Sequence, residues 1–555
     1  MSHAHAQYAH TQYAHGGELV ARSLAAQGVR TIYTLCGGHV APIYDGCLNH
    51  DIAVIDFRHE QAAAHAADAH ARLTRNIGVA LVTAGPGVTD AVTGVANAYQ
   101  ARSPMILLGG AAPLKTKGMG ALQEMPQVEM FRTFTKAAFT IERTEDIPER
   151  MAEAYHAALS GRPGPVFIEL PFDVLFNVVD SAERMPDRVT IDPIAAPVDA
   201  VQAMFDLLRA AERPLIIAGT QVYWDGASDA LRELTDQTAI PVFTNGAGRG
   251  TLSMDHPHCF KATRGKALRA ADVVLLIGTP LDFRLKYGRE DWNPDSKLIQ
   301  IENDAAELNH NRTADVALTA DARLVLEALA EGLQGIRFQP WLDQVAEWER
   351  TRNEKQAAWE ALDDAPVNHF RFAAEVNRFV DENTIVIGDG GDIVSACAKV
   401  LKVTQPGQWL DPGPLGCLGV GAPFAVAAQH LYPDRRVLII SGDGSFGLNG
   451  FEFDTAARFG LPIVAIVGND AGWGQIRGPQ VQMVGAERAI ATSMAPTSYD
   501  KVVVVLGGYG ELVEEPDGVF PALERAFASG LPACINVMLD PAGMSKTGAS
   551  SPYIV

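Results

Sequence analysis

Cysteine is sparse and unpatterned. Its six positions (Cys36, Cys47, Cys259, Cys397, Cys417, Cys534) form no C-x-x-C pair, so they indicate neither a zinc site nor a disulfide framework. Reduced thiols fit a cytoplasmic protein. No apolar run reaches the roughly 18 residues of a membrane-spanning helix, and the opening residues do not read as a signal peptide. Positive charge is also short: 45 Lys and Arg stand against 66 Asp and Glu, a formal net charge of −21. That balance argues against nucleic acid or an anionic membrane as a partner, but leaves room for an anionic small ligand in a local basic pocket.

What the chain has is apolar strand-length runs and glycine. Hydrophobic residues make up 47%, with 51 Gly among 555 residues, ordinary for a soluble α/β enzyme of three or four domains at about 150 residues each. The start carries His3, His5, His10 and His15 in low-complexity surroundings and reads as a disordered tail over residues 1–16. Buried strands separated by helical stretches then predict three doubly wound parallel domains, over residues 17–185, 197–335 and 366–540. A charged, tryptophan-bearing linker helix is expected over 336–365, and a polar tail or lid over 541–555.

The most informative stretch runs from Arg435 to Trp473. Val437–Ile440 reads as a buried strand ending in Gly442-Asp443-Gly444-Ser445, and Ile463–Val467 as a second ending in Gly468-Asn469-Asp470. In a parallel βαβ unit both turns lie at the carboxyl end of the sheet, where ligands bind. Side-chain oxygens of Asp443 and Asn469 can then share one hard cation that keeps part of its shell for phosphate, while the glycines let backbone N–H groups approach a diphosphate. Gly442-x-Gly444-x-x-Gly447 also matches a dinucleotide fingerprint, which leaves a nicotinamide oxidoreductase as a competing reading. That reading needs an acidic ribose ligand at the end of the next strand; the chain has Asn469-Asp470 there.

These residues resemble the metal-binding motif of the thiamine diphosphate-dependent superfamily that includes pyruvate decarboxylase and acetohydroxyacid synthase. Two departures stand out: the spacer from Ser445 to Val467 is one residue short of the usual range, and Gly468 replaces the first Asn of the usual pair. The resemblance implies Mg²⁺ on Asp443, Asn469 and the carbonyl of Ala471. Arg58-His59-Glu60 before an Ala-rich helix resembles the family's catalytic glutamate, which implies that Glu60 bonds the pyrimidine nitrogen. Gly416 and Leu418 stand where the family has the pyrimidine-binding backbone and the apolar wedge between the cofactor's rings. Gly391, Asp392, Gly442, Gly444, Ser445 and Trp473 fall at diphosphate and thiazolium positions.

The same resemblance extends to substrate. His39 and Gln123 match a His and a Gln that orient the substrate hydroxyl in benzaldehyde lyase, and Glu124 completes a Gln-Glu pair found in synthases and acyl-CoA lyases. Glycine turns at Gly219 and Gly278, with Arg162, Asp304 and Asp321, stand where relatives hold ADP or FAD, so the central domain is expected to hold one of these or neither. Arg264, Lys399 and Lys402 fall in regions that bind coenzyme A phosphates in oxalyl-CoA decarboxylase. The implied reaction is cleavage of a 2-hydroxyacyl-CoA to formyl-CoA plus an aldehyde or ketone, or its reverse, by a homodimer or homotetramer. The alternative is a CoA-independent carboligase of benzaldehyde lyase or acetolactate synthase type.

Overall fold

A computed structural model describes residues 13–180, 185–289 and 291–546. It contains three six-stranded, all-parallel sheets with helices between the strands. The first sheet is built from β2 (Thr31–Thr34), β3 (Ala53–Asp56), β4 (Gly78–Val82), β5 (Met105–Ala111), β6 (Ala137–Thr140) and β7 (Val166–Pro171), in the order β3-β2-β4-β5-β7-β6. Every residue of β4, β5 and β7 is buried, which is why these strands read as unbroken apolar runs. β6 is only half-buried and has no such run to announce it.

β1 (Tyr13–His15) pairs antiparallel with β8 (Val178–Asp180) in a separate two-stranded ribbon. The expected tail over residues 1–16 is therefore corrected: order is present from Tyr13, and the His-rich residues before it lie outside the described residues. His15 caps the helix Gly16–Ala26, its ring accepting the Glu18 N–H at 3.1 Å. A Cβ on Gly16 would lie 2.2 Å from the Val174 carbonyl oxygen, so only glycine permits that approach.

The central sheet comprises β9 (Pro214–Ala218), β10 (Val242–Thr244), β11 (Cys259–Phe260), β12 (Val273–Ile277), β13 (Lys297–Glu302) and β14 (Val316–Thr319), ordered β11-β10-β9-β12-β13-β14. The last comprises β15 (Thr384–Asp389), β16 (Trp409–Leu410), β17 (Arg436–Gly442), β18 (Val464–Asn469), β19 (Tyr509–Val513) and β20 (Ala533–Met538), ordered β16-β15-β17-β18-β20-β19. The linker helix spans Gln339–Glu360. No helix among the described residues is long and apolar enough to cross a membrane.

The chain folds into two compact units. One contains the described residues up to Asp192 plus Pro412–Pro433 and Asn449–Leu461; the other contains Pro193–Asp411, Asp434–Leu448 and the described residues from Pro462. In the first unit the helix Glu60–Thr74 packs along the helix Gly421–Leu431. A further helix, Val92–Ala101, also approaches Glu60–Thr74 closely: a Cβ on Gly94 would lie 2.5 Å from Ala64 Cβ. Alanine also favours the helical state, and Arg75 ends the helix in the left-handed region at φ 53°.

Candidate functional site

In the first unit the turn after β3 delivers Glu60 as the first residue of its helix. His59 caps that helix, its Nδ1 accepting the Gln61 N–H at 3.1 Å. Glu60 is buried, and burial raises its carboxyl above the ordinary range, with Asp90 adding to the rise. A rise of this kind favours the protonated carboxyl. Gly87 leaves room beside it: a Cβ there would stand 3.3 Å from Glu60 Oε1 and 2.9 Å from Thr83 Cγ2.

The Thr83–Gly87 turn gathers the other candidates of this unit. His39 Nδ1 lies 3.3 Å from Thr83 Oγ1, and burial lowers its pKa, favouring the neutral ring. Gly85, at φ 63°, packs on Gln123, whose Cβ is 2.8 Å from where a Gly85 Cβ would be; Gln123 is itself left-handed at φ 61°. Glu124 is corrected from a free acid or base to a loop staple. Its carboxylate accepts the N–H groups of Gly118, Gly120 (3.0 Å) and Ala121 (3.1 Å), and these bonds lower its pKa. Gln123 and Glu124 line a cavity of about 720 Å³.

A residue that sequence reasoning missed holds this turn. Gln127 is fully buried, accepts the Gly85 N–H at 2.8 Å, and donates to Gly110 O and Glu169 Oε1, both at 3.0 Å. No local pattern announces it, because its partners lie 17 and 42 positions away. Gly416, at φ 69°, closes a tight turn with its N–H on the Gly413 carbonyl at 3.1 Å. Leu418 is only half-buried, outside the core of this unit.

In the second unit, β17 and β18 are neighbours with Gly442 opposite Gly468, so the two turns after them meet. Asp443 is buried; one oxygen accepts the Gly444 N–H at 2.8 Å, the other the Gly472 N–H at 3.1 Å. Asn469 is fully buried. Its Nδ2 donates to Thr497 O (3.0 Å) and Asn536 Oδ1 (3.1 Å), which turns Oδ1 toward the Ala471 N–H at 3.2 Å. Ala471 takes φ 54°, and its carbonyl accepts the Met494 N–H at 2.7 Å. A non-glycine residue in that region is strained.

These donors fit a hard divalent cation: a carboxylate, an amide oxygen and a backbone carbonyl on adjoining turns. The local electrostatics agree. Asp470 is pushed up to about 7 by burial and by the charges of Asp443 and Asp392, a repulsion that a bound cation would offset. Asp470 is a second residue that the sequence reading did not use.

The glycines make a cradle around this turn. A Cβ on Gly444 would stand 2.5 Å from the Trp473 ring, one on Gly390 2.9 Å from the Gly442 N, and one on Gly391 2.2 Å from Gln475 Oε1. Gly442 is open and Ser445 is buried beside it. Asp392 starts the helix Asp392–Val400 but makes no cap; its Oδ2 shares with Asp470 the space in front of Gly474. Its charge opposes a phosphate, which corrects the expectation that it binds one. The helix Gly474–Val484 follows Trp473 directly.

The residues expected to hold ADP or FAD are occupied elsewhere. Arg162 donates to Tyr99 O at 2.9 Å and covers the Tyr99 ring. Asp304 caps the short turn Ala305–Glu307 through Ala306 N, and Asp321 the helix Ala322–Gly332 through Leu324 N, each at 3.0 Å. Gly219 and Gly278 serve close packing: their Cβ atoms would meet Gly278 O at 2.5 Å and Gln221 Cβ at 2.0 Å. Helix caps and ribose ligands share one signature, an Asp after a strand, and both residues make the capping bond here.

Arg264 and Lys399 do come together. They line a cavity of about 410 Å³ with Arg249, Lys261, Arg352 and Trp409. Burial lowers Arg264 to about 10 and Lys261 to about 8, with the Arg249 charge contributing to both. Among the described residues, Lys261, Arg264 and Arg352 form no ion pair. Lys261 Nζ donates to Val400 O and Leu401 O, both at 3.1 Å, and Arg264 Nη2 to Arg284 O at 3.0 Å. On a protein of net charge −21, this group of mutually repelling cations is a candidate anion site. Lys402 does not line this cavity; it pairs with Asp255 at 2.7 Å.

Comparison with known proteins agrees in all three sheets. Residues 14–130 match the N-terminal TPP binding domain of thiamine pyrophosphate enzymes, 201–329 the central domain, and 389–537 the C-terminal TPP binding domain. The chain is 40% identical over 528 residues to the acetolactate synthase large subunit IlvG of Mycobacterium tuberculosis, covering 95% of this chain and 96% of that protein. It is 38% identical over 575 residues to 2-hydroxyacyl-CoA lyase 2 of Homo sapiens, covering 94% and 90%. The same enzyme name in Caenorhabditis elegans matches at 38% over 559 residues, covering 92% and 87%.

Proposed function

Since the chain belongs to the thiamine pyrophosphate enzyme family, we propose that it cleaves a 2-hydroxyacyl-CoA to formyl-CoA plus an aldehyde or ketone, or runs the reverse addition. The observation that carries this reading is the cavity lined by Arg249, Lys261, Arg264, Arg352 and Lys399, because a CoA thioester brings phosphates and acetolactate chemistry does not. Relatives named 2-hydroxyacyl-CoA lyase 2 support it.

Thiamine diphosphate, when bound, supplies the electron sink for breaking the carbon–carbon bond. The chain's residues supply the rest. Asp443, Asn469 and the Ala471 carbonyl would hold Mg²⁺, and the cradle of Gly390, Gly442 and Gly444 would admit the diphosphate. Glu60 would hold a proton at its raised carboxyl against the pyrimidine nitrogen, with Leu418 as the apolar wedge. His39, kept neutral by burial, would take the substrate hydroxyl proton at a ring nitrogen, and Gln123 would orient that hydroxyl. The assembly would be a homodimer or homotetramer in the cytoplasm.

A second reading, a CoA-independent carboligase acting on pyruvate, rests on the 40% identity to acetolactate synthases. Side-by-side turnover of a 2-hydroxyacyl-CoA, pyruvate and free benzoin separates the two, with formyl-CoA measured by mass spectrometry. The CoA thioester is expected to react fastest and to give formyl-CoA. Faster turnover of pyruvate or benzoin would overturn the reading.

A further inference from the structure

We propose that Asp236, His256 and His258, in the central domain, form a binding site for one divalent transition-metal ion of the zinc class. One nitrogen from each ring and one oxygen of Asp236 lie within 4.8 Å of one another. Two imidazoles and a carboxylate are a borderline-soft donor set, suited to zinc rather than to magnesium. The sparse cysteines argued against a cysteine-ligated zinc site; this one uses none.

The site is assembled by two fixed elements. Asp236 stands on the helix Ser228–Thr238. The two histidines stand on the turn into β11, which is held by His256 N on Ser253 O (2.9 Å), Cys259 N on His256 O (3.0 Å) and Val242 N on His258 O (2.9 Å). The rings are 5.0 Å apart and nearly perpendicular, at 78°. His256 Nε2 is 3.0 Å from Asp236 Oδ1, close to the roughly 3.3 Å between ligand atoms in a tetrahedral zinc site.

His258 is set for ligation. It is only 6% exposed, and its Nδ1 lies 3.1 Å from the Thr235 carbonyl oxygen. A carbonyl can only accept, so Nδ1 carries the proton and Nε2 keeps its lone pair. Metal-ligating histidines show this same arrangement. Burial, with the neighbouring His256, further disfavours the protonated ring.

Two features oppose binding. His256 Nδ1 accepts the His258 N–H at 3.2 Å, and that bond is lost when the ring proton moves from Nε2 to Nδ1 to free Nε2 for the metal. Arg337, which donates to Asp236 O at 2.8 Å, also places a positive charge nearby. The ion would clamp the helix to the edge of the central sheet, with water completing its shell.

The test uses full-length protein saturated with Mg²⁺ and thiamine diphosphate, in which His3, His5 and His10 are changed to Ala so that the N-terminal histidines do not compete. Zn²⁺ is titrated calorimetrically into this parent and into its Asp236→Asn and His256→Gln derivatives, the first at an exposed side chain and the second at a partly buried one. One equivalent is expected in the parent, at least tenfold weaker binding in each derivative, and a Zn²⁺-dependent rise in unfolding temperature in the parent alone. X-ray absorption should show two imidazole ligands. The proposal is overturned if the parent binds no Zn²⁺, or if both derivatives bind it as the parent does.

Discussion

The carboxylate of Glu452 accepts the backbone N–H of Arg58, at 3.1 Å to one oxygen and 3.2 Å to the other. The turn that presents Glu60 is thus held by a residue 394 positions along the chain. Arg58 also pairs with Asp454 at 3.1 Å, and Arg458 pairs with Asp56 at 2.8 Å. These bonds fix where the helix carrying Glu60 begins, within one compact unit.

Replacing Glu452 should therefore separate hydrogen bonding from charge. Glu452→Ala strands the Arg58 N–H and the Thr455 hydroxyl, which donates to it at 2.6 Å, and should cost about 1–3 kcal/mol. Glu452→Gln keeps an acceptor and should retain activity. Burial pushes Glu452 up to about 7 from its ordinary 4.5. Its contribution to stability is complete below about pH 4.5 and is lost as pH rises through about 7. The Gln variant should thus gain on the parent between about pH 5 and 8, read as unfolding temperature against pH; parallel curves would refute this account.

Gly444→Ala should disturb the thiazolium side of the cradle. Its Cβ would enter the Trp473 ring at 2.5 Å, so the indole must move. A shift in tryptophan emission and weaker thiamine diphosphate binding are expected together. An unchanged emission spectrum with normal affinity would show that the close approach has no role.

Removing divalent cations should lower both activity and stability. A ligand that binds only the folded state at a hundredfold excess over its Kd contributes about 2.7 kcal/mol. Unfolding with Mg²⁺ and thiamine diphosphate, against chelator, should show a gain of that order, and Asp443→Asn should lose most of it. Activity that survives chelation would show that Asp443 and Asn469 hold no essential cation.

How much of this was legible in the sequence follows from how local each signal is. Asp443 and Asn469 could be read because each ends a buried apolar strand, and parallel pairing sets Gly442 beside Gly468. Glu60 could be read because its motif is contiguous. Gln127 and Glu452 could not, because each works through partners far away in sequence. Asp304 and Asp321 carry a signature that a capping aspartate and a ribose ligand share, and the fold shows the capping bond of each. Glu124 was misread because its partners are backbone N–H groups of its own loop, which every residue type supplies. The edge strands β6, β11, β14, β16 and β19 escaped notice because short or half-buried strands carry little apolar signal.

Acid should loosen the helix pair that carries Glu60. His65 is fully buried with Nδ1 unpartnered, its ring edge-on to Phe424, and burial lowers it to about 4 from 6.5. His70, 3.0 Å from the Tyr33 hydroxyl, is lowered to about 4 by burial and by His430. Their neutral forms support the fold above about pH 6.5, and that support is lost as pH falls through about 4, at roughly 3 kcal/mol for each ring. His65→Leu should be neutral or stabilising at pH 7 and should flatten the acid limb; an unchanged acid limb would place the titration elsewhere.

The cavity cations give a prediction that depends on charge more than on packing. Arg352 is exposed on the linker helix, forms no ion pair among the described residues and reaches a cavity that already holds Lys261, Arg264 and Lys399. Lys399 is itself lowered by burial and then by Arg352. Arg352→Ala removes a cation without opening the core, so folding should be unaffected. The KM for a 2-hydroxyacyl-CoA should rise roughly threefold to tenfold at low salt, with kcat nearly constant, and the difference should shrink as ionic strength screens the pair. The corresponding pantetheine thioester, which lacks the nucleotide phosphates, should show no difference between parent and variant. An equal rise for both thioesters would mean that the arginine shapes the entrance instead of reading phosphate.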